Sequence, residues 1–174
     1  MKRSPFVALT SPLALAVLTT PAVAQERDLD PVKVEAAARY ALPFAFEGYV
    51  SRCSTALSSD GYIAVNSPRL SEKFSDGAGN SWPEAKELMM ELAREEAGEM
   101  SSIFDMLDDE SLRPFVDGMI EGLVAQEMKV EDCGTVERAL EILDPLPADN
   151  VAALAGFLVE MGLNEDDGSQ DAEQ

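Results

Sequence analysis

The chain has 174 residues, with 33 Asp and Glu against 13 Lys and Arg, no histidine, and 46% hydrophobic content, giving a formal charge of -20. That length fits about one domain, and the apolar share is enough for a packed core, so wholesale disorder is excluded. Sparse basic residues argue against nucleic acid as a partner, since phosphate binding rests on clustered Lys and Arg. The missing imidazole removes Ser-His-Asp and Cys-His catalysis and histidine-bound zinc or copper.

Lys2 and Arg3 precede a mostly apolar run from Phe6 to Leu18, and Ala22-Val23-Ala24 supplies small residues before Gln25. This predicts a secretory signal peptide over residues 1–24, cleaved near Ala24-Gln25, and a periplasmic or secreted product. The run is interrupted at Thr10-Ser11-Pro12 and is shorter than the ~18–20 apolar residues that span a bilayer, so no stable membrane span is expected. Cleavage would remove two bases and no acid, leaving 11 basic and 33 acidic groups, a charge of -22. In an oxidising compartment Cys53 and Cys133 are expected to pair; they are too far apart in sequence for a C-x-x-C redox motif.

Asp30-Pro31 predicts a helix start, a capping side chain followed by a proline at the first helical position. Pro43 is expected to end that helix, with a second from Phe44 to Leu57, so that the two form a kinked pair. Periodicity then fades, and Ser58 to Ser81 reads as a long irregular loop, with room for a turn or two of helix between Pro68 and Phe74. Ser81-Trp82-Pro83-Glu84 has capping-box spacing and predicts a helix carrying Leu88, Met89, Leu92, Met100, Ile103, Phe104 and Leu107 on one face. Glu87, Glu91, Glu95 and Glu99 line another, expected to be solvated.

Asp108 to Ser111 places acids where the next helix begins, as the helix dipole favours. Leu112, Phe115, Val116, Met119, Ile120, Leu123 and Val124 then form the clearest apolar stripe in the chain. Gly118 and Gly122 at its edge suggest close approach of a neighbouring backbone. A short helix should carry Val136, Ala139, Leu140 and Leu143 until Asp144-Pro145. The last should run from Pro147, burying Val151, Leu154, Ala155, Leu158 and Val159, and end at Gly162. Residues 164–174 read as a disordered acidic tail after a single helical domain over 25–163. The fold class is all-α, a small bundle of about five to six helices with one disulfide.

Chemistry is scarce. Ser71-Glu72-Lys73 is weak evidence for a serine with a lysine base. Carboxylate pairs could cleave glycosides, but 33 acids nominate no pair. The acidic tail fails calcium-loop spacing, with Leu163 and Gln174 where ligands belong. Gly77-Ala78-Gly79 lacks the rest of a phosphate loop, so neither a cofactor nor a metal site is expected.

Residues 98–174 hold 20 acids and three bases. Concentrated like charge steers association with a basic partner. The sequence therefore reads as an exported, non-enzymatic interaction protein, an accessory subunit, adaptor or inhibitor of another envelope protein. Its expected contacts are Tyr62, Ile63 and Val65 in the loop and Met89, Met90 and Met119 on the helices, because methionine-rich faces adapt to partners. Two alternatives are a periplasmic chaperone that responds to pH as its carboxylates neutralise and a weak binder of divalent cations through carboxylate oxygens.

Overall fold

The computed structural model describes residues 29–95 and 106–169, and all its elements are helical. Among the described residues six α-helices follow in order: α1 Pro31–Cys53, α2 Tyr62–Ser75, α3 Trp82–Glu95, α4 Asp109–Glu127, α5 Cys133–Leu143 and α6 Ala148–Ser169. Two short 3-10 turns, Ala78–Ser81 and Val130–Asp132, lead into α3 and α5. The fold is all-α, as the apolar periodicities predict. The leader, Glu99 at the end of the acidic row with Met100, Ile103 and Phe104, and residues 170–174 lie outside the described residues.

Helix α1 begins as expected: the Asp30 side chain accepts a hydrogen bond from the Val32 amide at 2.9 Å, and Pro31 sits at the first helical position. The predicted break at Pro43 does not occur. Proline cannot donate to the Arg39 carbonyl one turn back, a local cost of about 3 kcal/mol. Yet Pro43 is itself buried, and α1 runs through it with α2, α3, α4 and α6 packed around it. Burying one large apolar side chain contributes about 1.5–3 kcal/mol, so a helix enclosed on several sides easily offsets one missing bond.

The core divides along this axis. Around the C-terminal half of α1, Phe46, Tyr49 and Cys53 pack with Ile63, Leu70 and Phe74 of α2 and with Cys133 of α5. Around its N-terminal half, Tyr40 packs with Ala85 and Ala93 of α3 and with Leu112 and Val116 of α4. Sulfurs of Cys53 and Cys133 are 1.99 Å apart, with their Cα atoms at 5.6 Å, so the expected pair is joined.

The predicted irregular stretch from Ser58 to Ser81 is corrected by α2 and the 3-10 turn that follows it. Gly61 supplies no side-chain cap to α2. Instead the Ile63 amide donates to Glu137 Oε1 of α5 at 2.9 Å, so an acid 74 residues away caps the helix. At the other end Gly77 has φ +77°, a left-handed conformation that a side chain resists, and it turns the chain toward α3.

Close helix contact also falls elsewhere than expected. A Cβ on Gly118 would meet nothing within 4 Å, whereas one on Gly48 would lie 2.4 Å from the Glu121 carbonyl oxygen. Gly48, on α1, is therefore what lets α4 approach. Helix α6 likewise lies on α1 through a small residue: a Cβ on Gly156 would be 3.3 Å from the Glu35 Cα. This helix continues through Gly162 to Ser169, past the predicted stop.

Candidate interaction surface

The six residues expected to contact a partner are not gathered into one surface. Ile63 is buried in the α2 contact with α1, and Tyr62 is half-buried against the same cluster. Val65 does face solvent, with 69% of its area exposed. Met89 and Met90 are half-buried against the Tyr40 cluster, and Met119 on α4 is half-buried too.

Met90 also lines a shallow cleft of about 640 Å³ beside α3, together with Trp82, Lys86, Glu87, Arg94 and Asp109. Charges in and beside it are matched. Lys86 donates to Asp109, and Lys33 from α1 bridges Glu91 at 2.5 Å and Glu87 at 3.4 Å. Hydrogen bonding to Glu91 holds the Lys33 ammonium above its ordinary pKa. Balanced opposite charges leave little net field to attract a ligand, and exposed pairs of this kind add little to stability. Among the described residues, no group of three or more Cys, Asp or Glu is arranged to hold a metal ion.

A second charged cluster ties α2 to the end of α5. Arg69 donates to both carboxylate oxygens of Asp144, at 2.9 and 2.7 Å, and Lys73 donates to the Asp144 carbonyl at 2.6 Å. The Arg69 guanidinium, then the Tyr62 hydroxyl, hold the Asp144 carboxyl well below the usual carboxylate range. Because the folded pKa is the lower one, this stabilisation is present above the unfolded value of about 4 and is lost as pH falls through the folded one. With 21% of the Asp144 side chain exposed, solvent screening reduces the effect to about 1 kcal/mol. Urea melts should show Asp144→Asn less stable than wild type at pH ~7, with the gap closing steadily below pH ~4. A gap that stays constant with pH would remove the ionic explanation.

The largest departure from expectation is on α6. Val151, Ala152 and Gly156 are buried toward α1. Leu154, Leu158 and Val159, predicted to be core, face solvent instead. Leu154, Phe157, Leu158 and Met161 recur at i, i+3, i+4 and i+7 and are 40%, 55%, 56% and 42% exposed. That spacing makes one apolar stripe about two turns long. Sequence periodicity assigns Leu154 and Leu158 to the core and passes over Phe157 and Met161, since α6 is apolar on both faces between Val151 and Met161. The signal that distinguishes them is the pair of small residues, Ala152 and Gly156, one turn apart on the packed face.

Among the described residues, no helix is long and apolar enough to cross a membrane. No family model, no curated protein and no solved structure matches this chain.

Proposed function

We propose that the chain is an exported, non-enzymatic interaction protein that binds another envelope or periplasmic protein. One observation carries this reading: a strongly acidic chain leaves a regular apolar stripe on α6 open to water. Contiguous exposed apolar surface is costly in a soluble protein and marks places where another molecule binds. The charge of -20 gives such contacts direction, since like charge in excess raises the encounter rate with a basic surface. Export is supported by the leader-like sequence and by a disulfide of the sort that persists in oxidising compartments.

Crosslinking in intact cells followed by pull-down tests it. The expected result is one stoichiometric protein partner, recovered from the exported fraction with a chain that starts near Gln25, and released as salt rises. Failure to recover a stoichiometric partner across growth conditions, or a chain retained in the cytosol with both thiols alkylatable, would count decisively against the proposal.

A further inference from the structure

We propose that the outer face of α6, presented by Leu154, Phe157, Leu158 and Met161, is the docking surface for a cationic amphipathic helix of a protein partner. This rests on the interaction reading above and assigns it a site and a partner chemistry. Four side chains at i, i+3, i+4 and i+7 are the anchor pattern by which one amphipathic helix recognises another apolar face. On the opposite face of α6, Ala152 and Gly156 are buried, and a Cβ on Gly156 would lie 3.3 Å from the Glu35 Cα of α1, so the stripe is presented on a packed helix.

Charge selects the occupant. Beyond Asp149, whose carboxylate is already paired with Arg39, the α6 sequence contains Glu160, Glu165, Asp166 and Asp167 and no Lys or Arg. Glu35 of α1, exposed and lying against Gly156, adds a further acid beside the helix. A second copy would bring two such acidic helices together, and like charges across an interface oppose association. An anionic lipid surface is disfavoured by the same argument, because interfacial helices bind it through Lys and Arg on their polar face. A helix whose apolar side meets the stripe and whose flanks carry Lys and Arg satisfies both features at once.

The test uses the full chain and a fluorescent synthetic peptide of leucine and lysine, about five helical turns long, with leucines at i, i+3, i+4 and i+7. Fluorescence anisotropy is expected to show saturable binding that weakens by about tenfold or more in Phe157→Glu/Leu158→Glu, the loss typical of central interface anchors. Both positions are solvent-facing, and an unchanged helical circular dichroism spectrum will establish that the variant is folded. Binding should also weaken as salt rises from about 0.1 to about 1 M, where the screening length falls from about 10 to about 3 Å. A scrambled peptide of the same composition should bind much more weakly, and a leucine and glutamate peptide not at all.

Equal binding of the scrambled peptide, or of the designed peptide by the variant, would overturn the proposal. The other occupants have their own signatures. With Phe157→p-benzoylphenylalanine, a light-induced adduct to residues 1–28 of the same chain, to a second copy, or to lipid in phosphatidylglycerol vesicles would each overturn it. If the variant still crosslinks in cells to the wild-type partner, the docking site is wrong while the interaction reading stands. If wild type itself recovers no partner, the interaction reading fails, and the docking proposal with it.

Discussion

Replacing Cys53 and Cys133 together with alanine is expected to lower stability by about 4–5 kcal/mol. The bond joins residues separated by 80 positions, and closing so long a loop removes much of the freedom of the unfolded chain. Its position adds a structural consequence. Helix α5 does not join the extensive packing around α1; its principal neighbours are α2 and the 3-10 turn before it. Apart from the disulfide, α5 is held by the Tyr49 hydroxyl donating to the Cys133 carbonyl at 3.0 Å, by Glu137 at the start of α2, and by Arg69 and Lys73 at Asp144. Burial, with the nearby Glu137 carboxylate, pushes the Tyr49 phenol up to about 12, so the hydroxyl keeps its proton throughout the neutral range. Urea unfolding of wild type and of the double alanine variant measures the loss, and hydrogen exchange should show α5 amides exposed before those of α1. A loss under about 1 kcal/mol, or α5 protection equal to that of α1, would mean that the apolar cluster alone holds this helix.

Helices announced by their own residues were legible in the sequence. Asp30-Pro31, Ser81 to Glu84 and Asp108 to Ser111 each carry local signals for a start, and helices begin at Pro31, Trp82 and Asp109. Asp108 accepts from the Ser111 amide at 2.9 Å, a cap contained within four residues. Helix α2 was illegible because its defining contacts are remote. Its start is capped by Glu137, and its buried residues Ile63, Leu70 and Phe74 are interspersed with Asn66, Ser67 and Pro68, which blur the period. Pro43 misled for the same reason in reverse: local chemistry predicts a break, and the packing of four helices overrides it. The candidate surface was legible only in part. Methionines at 89, 90 and 119 suggested an adaptable face, yet they are half-buried in the fold. Leu154 and Leu158 of the open stripe are residues that sequence periodicity takes for core, Phe157 and Met161 fall outside the predicted set, and the tertiary fit of Gly156 against Glu35 decides which side of α6 turns inward.

Arg39→Ala should cost about 2–6 kcal/mol, because it leaves two carbonyls at the end of α2 without their partner, at about 1–3 kcal/mol each. Arg39 is 7% exposed and divides its donors among three acceptors. Its Nε donates to Asp149 at the start of α6 at 2.7 Å, Nη1 donates to the Phe74 carbonyl at 2.7 Å, and Nη2 donates to the Asp76 carbonyl. Phe74 lies in the last turn of α2, where carbonyls have no partner within the helix and a positive charge is favoured by the dipole. A guanidinium from α1 thus completes the end of α2, and alanine would leave those carbonyls unsatisfied. Two further variants separate the contributions. Asp149 keeps 79% of its side chain exposed, so Asp149→Ala should cost no more than about 1 kcal/mol. Arg39→Lys retains the charge but replaces a planar fork by a single ammonium that cannot serve three directions, so its loss should fall between the other two. Chemical unfolding at neutral pH gives the ranking directly. If Asp149→Ala were as damaging as Arg39→Ala, the ion pair and not the α2 carbonyls would be what Arg39 secures. Since the same guanidinium anchors the start of α6, Arg39→Ala should also loosen the helix that presents Leu154, Phe157, Leu158 and Met161, with earlier hydrogen exchange in α6 than in α4.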